Sequence, residues 1–176
     1  MARNRFQAAV LETPRLALRE MTLGDLDFVA GMLGDPEGMR FYPKPLSREE
    51  SEAWVRRQID RYERDGHGLW LVVEKASGHP VGQVGLSIQE VEGVREPEIG
   101  YLIHRPSWRR GFAAEAALAT RDHAFAVLGK PRVISLVRPE NLPSRRVAMR
   151  IGMTIEKQVL FRGLDHRVFA VSRPAK

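Results

Sequence analysis

The sequence predicts one α/β domain built around a mixed sheet, and three observations support this class. The chain has 176 residues, a length typical of a single domain. Segments with the pattern of strands are interleaved with segments that have the apolar spacing of helices. Their order is β-α-α-β-β-β-α-β-α-β-β. A doubly wound parallel fold would instead show a regular alternation of strands and helices. We find no internal repeat or linker, so residues 1–176 are expected to form one domain.

The first half of the chain predicts a short strand, two helices and a β-hairpin. The second helix has the clearest start signal, because Ser47 and Glu50 form a capping-box pattern. The turn sequence SGHP separates two β-rich runs, which predicts a hairpin. In order, these elements are a strand at 14–18, helices at 23–33 and about 47–64, and strands at 69–74 and 81–88.

The second half predicts a buried strand followed by a helix, and then one further helix among three strands. Gly129 and Pro131 are expected to end the longer helix, and Gly152 the shorter one. The last two strands are expected to form a closing hairpin. In order, these elements are a strand at 98–103, a helix at 112–128, a strand at 133–137, a helix at 143–151, and strands at 153–160 and 168–171.

Composition narrows the possible function classes. The chain has 28 basic and 22 acidic residues, for a net charge of +6, which favours an anionic partner such as nucleic acid, a membrane surface or a phosphorylated small molecule. It has no cysteine, which excludes disulfide scaffolds, thiolate zinc sites and cysteine nucleophiles. The five histidines lack metal-site spacing, so we expect no metal. Without a signal peptide or an apolar span, we expect a cytoplasmic protein that contacts no membrane.

The most informative segment is EIGYLIHRPSWRRGFAAEA, residues 98–116, in which a strand leads through a basic connection into a helix. The first turn of a helix offers unpaired N–H groups and partial positive charge, which together favour phosphate binding. Small residues let a ligand approach the backbone there, and arginines add full charges. These are Gly111, Ala113 and Ala114, and Arg105, Arg109 and Arg110. The alternative is a tight strand–helix turn with solvated arginines, since the G-x-x-x-x-G-K-[ST] and G-x-G-x-x-G fingerprints are absent.

Three segments resemble the GNAT superfamily of acetyl-CoA-dependent N-acetyltransferases, in particular the ribosomal-protein N-terminal acetyltransferases of the RimJ/RimL type. They are LETPRLALREMTLGDLD, the EIGYLIHRPSWRRGFAAEA segment and NLPSRRVAMRIGM, and their order and spacing match across nearly the whole chain. Two positions depart from the pattern. Trp108 stands where the family motif has a polar residue, which removes a polar contact, and Arg109 replaces the glycine that usually follows.

This resemblance implies a mixed, mostly antiparallel sheet of about six to seven strands flanked by about four helices. It also implies direct transfer of an acetyl group from acetyl-CoA to an amine in a ternary complex. Leu102, Ile103 and His104 would pair with the pantetheine arm, and an N–H near Leu102 or Ile103 would polarise the thioester carbonyl. Asn141 would contact CoA, unless it is a turn residue. The pyrophosphate would be held by backbone amides of Arg109, Arg110, Gly111, Phe112, Ala113 and Ala114.

The resemblance leaves the side-chain roles in catalysis open. An ammonium group must lose a proton before it attacks, and Glu98 is the first candidate base, with Glu96 and Glu74 as substitutes. The alternative for Glu98 is a solvent-facing glutamate at a strand end. Ser144 is placed to donate a hydrogen bond to the leaving thiolate, but it could instead be the N-cap of the short helix that begins near it.

The acceptor amine is predicted only as a class, either a protein N-terminus or a small molecule. Phe41 and Tyr42 are candidates for its pocket, since the connection between the first two helices lines the acceptor site in relatives. Two other function classes stay open, an acyl-CoA sensor without catalysis and a basic module that binds nucleic acid or the ribosome. The second rests on Arg56, Arg57, Arg61 and Arg64, but acidic residues interleave with them, so this helix is expected to be solvated. We expect a monomer or a homodimer.

Overall fold

The computed structural model describes residues 8–175 and centres on one eight-stranded sheet. The strand order is β1-β2-β3-β4-β5-β6-β8-β7. Neighbouring strands are antiparallel except for β5 and β6, which are parallel. The strands are β1 (Leu11–Glu12), β2 (Leu16–Arg19), β3 (Leu69–Glu74), β4 (Pro80–Val91), β5 (Val94–Ile103), β6 (Arg132–Val137), β7 (Thr154–Phe161) and β8 (Leu164–Ser172).

Four α-helices of the described chain flank this sheet. They are α1 (Leu26–Leu33), α2 (Arg48–Asp65), α3 (Phe112–Ala126) and α4 (Leu142–Arg150). The capping box predicted from Ser47 and Glu50 is confirmed at the start of α2. A short 3-10 turn at Leu23–Asp25 precedes α1, so the predicted helix at 23–33 is two elements. Helix α3 ends two residues earlier than predicted, before the left-handed Gly129 (φ 63°).

The sheet separates two hydrophobic cores, as the residues of β3 show. Successive side chains of a strand point to opposite faces. Trp70 and Val72 pack in the core that contains the apolar side chains of α3, whereas Leu71 and Val73 pack with α1 and α2. All four are buried. Burying an apolar side chain of this size contributes about 1.5–3 kcal/mol, so both faces hold the sheet in place.

Strands β5 and β6 pair at one position and then diverge. Their register joins Glu98 to Ile134. One residue further along each strand, the Ser135 hydroxyl donates to the carbonyl of Ile99 at 2.8 Å, in place of a backbone bond. Beyond this point, toward Ile103 and Val137, no further backbone register joins the two strands within the described chain, which leaves a gap between them. A gap between two neighbouring strands exposes backbone amides and carbonyls to a ligand, and it sits at the centre of this sheet.

The predicted fold class is confirmed, with one strand more than expected. The additional strand is the two-residue β1 at the sheet edge. Strand β5 also begins at Val94, so Glu98 lies in the middle of that strand and does not open it. Residues 94–97 of β5 were not predicted as strand, because charged residues and Pro97 interrupt the apolar pattern there. Pro97 is tolerated because the register turns its missing N–H away from β4.

Candidate active site

A cavity of about 260 Å³ lies where α2 and the 41–43 segment face the gap between β5 and β6. Side chains from α2, β4, β5, β6 and the β7–β8 hairpin line it. The structure brings six of the predicted site residues together there, although they are far apart in the sequence. These are Phe41, Tyr42, Glu98, Leu102, Asn141 and Ser144.

Glu98 is the one carboxylate among the described residues that line this cavity. It is half-buried, so the alternative of a solvent-facing strand-end glutamate is wrong. Burial raises the pKa of Glu98, while hydrogen bonds from Gln89 (2.7 Å) and the Leu136 backbone and the charges of Arg162 and Arg61 partly offset that shift. A carboxylate with a raised pKa is a stronger base than an exposed carboxylate with the ordinary pKa.

The two substitute bases lie elsewhere. Glu96 accepts hydrogen bonds from Arg132 at 3.0 and 3.1 Å, and Glu74 pairs with Arg110. Neither lines the cavity. Both carboxylates are therefore committed to ion pairs, which leaves Glu98 as the candidate base.

Asn141 is the N-cap of α4, so the alternative that Ser144 caps this helix is wrong. The amide of Ser144 donates to the Asn141 Oδ1 at 3.1 Å. Ser144 is thus the third residue of α4, and its hydroxyl has no capping role. The backbone carbonyl of Ser144 accepts a hydrogen bond from the Tyr101 phenol at 2.7 Å. Tyr101 was not predicted as a site residue, yet it ties β5 to α4 beside the cavity.

The start of α3 has the backbone conformation expected of an anion cradle. Gly111 is its N-cap with φ 80°, a conformation that glycine adopts more easily than other residues. Arg109 is also left-handed, with φ 60°. Left-handed residues beside a helix start typically form backbone concavities that bind anions. Phe112 buries its ring in the core with 1% exposed, which fixes the first turn, and the half-buried Ala113 and Ala114 follow.

The arginines at this helix start are not equivalent. Arg110 pairs with Glu74, and its guanidinium stacks on the Phe112 ring at 4.4 Å. Arg15, which was not predicted, stacks on the same ring at 4.8 Å and pairs with Glu115 in the first turn of α3. Within residues 8–175, Arg109 forms no salt bridge. It is therefore the arginine most available to a phosphate.

The hydrogen-bond register of β5 decides which amides face the gap. The His104 amide donates to the Val81 carbonyl at 2.8 Å. In an antiparallel ladder such bonds recur at every second residue. The Leu102 amide therefore also faces β4, whereas the amides of Tyr101 and Ile103 face the gap. This favours Ile103 over Leu102 and His104 as the donor to a bound carbonyl.

Trp108 compensates for part of its departure from the family motif. Its indole Nε1 donates to the carbonyl of Ile103 at 2.7 Å. The aromatic residue thus anchors the connection between β5 and α3 to the end of the strand, close to the gap.

Together, these features suit acyl transfer from a phosphorylated thioester. A helix start with left-handed residues can hold phosphates, free strand amides can polarise a carbonyl, and a carboxylate with a raised pKa can accept a proton. Among the described residues, no group of three or more His, Asp or Glu side chains is placed to hold a metal ion. In the same part of the chain, none of the helices has the length and apolarity needed to cross a membrane.

A family model described as "Acetyltransferase (GNAT) domain" matches residues 15–154. The chain belongs to the GNAT family of acetyltransferases. An uncharacterised N-acetyltransferase from Bacillus licheniformis, p20, is 30% identical, and the match covers 88% of this chain and 86% of that protein. The protein is an N-acetyltransferase, as the resemblance in the sequence implied. This result favours the enzyme over the nucleic-acid-binding module and the sensor.

Two solved structures illustrate the range of similarity within this GNAT fold. An acetyltransferase from Agrobacterium tumefaciens is 28% identical, with a TM-score of 0.81 over 98% of this chain and 99% of that one. RimL, a ribosomal L7/L12 α-N-protein acetyltransferase solved in complex with coenzyme A, is 17% identical. Its TM-score is 0.76, with 94% of this chain and 98% of that one covered. The second similarity is one of fold.

Proposed function

We propose that this GNAT enzyme transfers the acetyl group of acetyl-CoA directly to a primary amine, on a protein N-terminus or a small molecule. The observation that carries the proposal is the position of Glu98. This carboxylate, whose pKa burial raises, lines a cavity that opens onto the gap between β5 and β6. We also infer a cytoplasmic enzyme that acts as a monomer or homodimer.

The residues of the chain fit acetyl-CoA at three places. Acetyl-CoA supplies the activated acetyl group as a thioester. The amides of residues 109–114 would hold the pyrophosphate, where a side chain at Gly111 would meet only Arg15 at 3.4 Å but would have to adopt φ 80°. The β5 edge would pair with the pantetheine arm through Tyr101 and Ile103. The Ile103 amide would polarise the thioester carbonyl.

Proton transfer explains why a base is needed. An aliphatic amine is mostly ammonium at neutral pH, and only the neutral form has a lone pair for attack. Glu98 would take the proton of the ammonium group, after which the new C–N bond would form and the C–S bond would break. The second proton of the attacking nitrogen would pass to the departing thiolate, which gives the neutral amide and the CoA thiol. The thiolate leaves readily because the pKa of a thiol is about 8.5. The Ser144 hydroxyl would donate a hydrogen bond to it.

The structure favours a water relay between the amine and Glu98. Glu98 and Ile103 are five residues apart, which corresponds to about 16 Å along a strand. The β4–β5 register runs from Glu98 to Ile103 without a shift, so no bulge shortens this distance. The amine beside the thioester would therefore be too far from Glu98 for direct contact, and water molecules in the cavity would carry the proton between them.

A thiol-release assay with acetyl-CoA and a panel of amines tests this function. We expect acetyl-CoA-dependent thiol release with at least one amine, and a product that carries one acetyl group by mass spectrometry. Calorimetric titration of acetyl-CoA should show binding without an amine. Binding without turnover on any peptide N-terminus or small amine would contradict the enzymatic proposal and favour the sensor.

A further inference from the structure

The cavity that holds Glu98 carries an excess of positive charge. Glu98 is its one acidic residue within the described chain, whereas four arginines line it, Arg57, Arg61, Arg138 and Arg162. Arg138 pairs with Glu140 at 2.8 Å. Within residues 8–175, the other three form no salt bridge with a carboxylate.

Two of these arginines project from the same face of α2. Arg57 and Arg61 are one turn apart, a spacing at which like charges repel each other. Arg57 stacks on the Trp54 ring at 5.5 Å, and Arg61 donates to the Gln58 side chain at 3.2 Å. Burial and the neighbouring positive charges of Arg57 and Arg162 lower the pKa of Arg61, although Glu98 opposes this shift. Each of these guanidinium groups therefore disfavours the charge of its neighbour, and Glu98 is the one carboxylate of the described cavity lining that offsets this repulsion.

The third arginine reaches the cavity from the β7–β8 turn. Arg162 has φ 50° and makes a long contact of 3.4 Å with the Gln89 Oε1. The Gln89 Nε2 donates to Glu98 at 2.7 Å. One amide group therefore lies between this guanidinium and the candidate base. A ligand group that contacts Arg162 would be close to the reacting amine.

Two other arginines on α2 form salt bridges with acidic neighbours. Arg56 pairs with Glu52, and Arg64 pairs with Asp65, each at 2.7 Å. Both lie outside the cavity. The fold thus pairs the outward arginines of α2 with acidic neighbours, whereas Arg57 and Arg61, which line the cavity, form no salt bridge within residues 8–175. Arg61 is half-buried, whereas Arg57 and Arg162 are exposed at the edge of the cavity, so all three guanidinium groups are accessible to a ligand. An anionic ligand group would supply the salt-bridge partner that these arginines lack within the described chain.

We propose that the acetyl acceptor is an amine that also carries a carboxylate, which binds to Arg57, Arg61 and Arg162 while the amine faces Glu98. This inference rests on the proposed function, because it takes the cavity as the acceptor site. The phosphates of the cosubstrate are not the expected anion, since none of residues 104–114 lines the cavity. A polyamine would meet three guanidinium groups and one carboxylate.

Matched acceptors that differ in one charge test the proposal. We would compare alanine with alaninamide, the peptide amides Ala-Glu-Ala-Ala and Ala-Gln-Ala-Ala, and spermidine, by thiol release. The member of at least one pair that carries the carboxylate should have a kcat/KM about tenfold above the partner that lacks it. The pair that shows the preference identifies a free amino acid or a peptide as the source of the carboxylate. Equal values in both pairs, or a preference for spermidine, would overturn the proposal.

Arginine variants identify the residues responsible. Arg57→Gln and Arg162→Gln should each reduce the acidic-to-neutral ratio of kcat/KM about fivefold. Arg56→Gln is the matched control on α2, and it should leave both that ratio and the turnover unchanged. A ratio that stays the same in both cavity variants would contradict the assignment, whatever their overall activity.

A binding measurement separates this inference from the proposed function. The acidic and neutral peptides would be titrated into the protein saturated with CoA, which cannot transfer an acetyl group. Tighter binding of the acidic peptide without acetylation of any acceptor would support the carboxylate site and contradict the enzymatic proposal. Acetylation of both peptides with equal affinities and rates would contradict the carboxylate site alone.

Discussion

The α3 start and the acceptor cavity are both rich in arginine, but they use it in different ways. At the α3 start, Arg15 and Arg110 are fixed by Glu115, Glu74 and the Phe112 ring. In the cavity, three of the lining arginines form no salt bridge within the described chain. The first region holds these arginines in ion pairs and presents its backbone to a ligand. The second presents side-chain charge, and we expect its substitutions to affect the reaction more than the fold.

The largest effect is expected in the cavity, from Glu98→Gln. This change keeps the shape of the side chain and removes its basicity, so kcat/KM should fall by about 10²-fold near pH 7. The affinity for acetyl-CoA should not change, since the α3 start is untouched. A pH–rate profile of both proteins on one confirmed acceptor measures the effect.

The shape of that profile follows from the pKa of Glu98. Only the ionised carboxylate accepts a proton, so wild-type activity should fall as the pH drops through this pKa. Because burial raises it, the fall should occur at a higher pH than for an exposed glutamate. The deficit of Glu98→Gln should shrink as the pH rises toward the pKa of the amine. Parallel profiles with equal rates would show that Glu98 takes no part in proton transfer.

The next effect concerns the α3 start. Gly111→Val should weaken acetyl-CoA binding by about tenfold or more, because the left-handed conformation of the cradle is strained for a β-branched residue. Gly93→Val is a matched control, since Gly93 has φ 79° in the β4–β5 turn and open space around it. Both variants should lose stability, but only the first should lose affinity in a calorimetric titration. Equal affinities would remove Gly111 from the binding site.

Ser144→Ala is expected to have a smaller effect, confined to turnover. A hydrogen bond to the leaving thiolate strengthens as negative charge develops, so kcat should fall about fivefold with little change in KM for acetyl-CoA. The melting temperature should stay the same, because the Ser144 hydroxyl does not cap α4. Unchanged turnover would show that this serine makes no contact with the thiolate.

Asn141→Ala tests whether Asn141, and not Ser144, caps α4. Loss of the cap bond to the Ser144 amide should lower the free energy of unfolding by about 0.5–2 kcal/mol. Denaturant unfolding of Asn141→Ala and Ser144→Ala measures the difference. Equal stabilities of the two variants would contradict the assignment of Asn141 as the cap.

The smallest expected effect is a gain in stability from Glu98→Gln. The pKa of Glu98 is higher in the folded than in the unfolded state. The unfolded state therefore loses its proton first as the pH rises, so stability falls through this window and stays lower above it. Glutamine does not ionise, so the variant avoids this loss of stability and should melt at a slightly higher temperature than wild type at pH 7. At a pH below the pKa of an exposed glutamate, where Glu98 is protonated in both states, the two proteins should melt at the same temperature. A lower melting temperature at pH 7 would contradict the direction of the shift.

The sequence predicts the α3 start well because that region is continuous. Residues 98–116 contain the strand, the connection and the helix start, so one motif indicates the glycine and the arginines together. Arg15 escapes prediction because it joins the region from a distant strand, and nothing in LETPR indicates its pairing with Glu115. Local patterns report residues that are close in sequence, and tertiary contacts add the others.

The cavity is harder to predict, since it combines short pieces of many elements. Phe41, Glu98 and Ser144 are expected there, but Arg57 and Arg61 appear from sequence as part of a solvated helix face. Two arginines of that face do pair with acidic neighbours, which is why the pattern misleads. Arg162 lies in the β7–β8 turn, and no sequence motif marks it as a site residue. Its position beside Gln89 depends on how the β7–β8 hairpin packs against β4.

The central claim is that cofactor binding and acceptor chemistry occupy separate regions that meet at the gap between β5 and β6. The most direct test is a calorimetric titration of acetyl-CoA into wild type, Glu98→Gln and Gly111→Val. Wild type and Glu98→Gln should bind with the same affinity, and Gly111→Val about tenfold or more weakly. A loss of affinity in Glu98→Gln as large as that in Gly111→Val would contradict the separation.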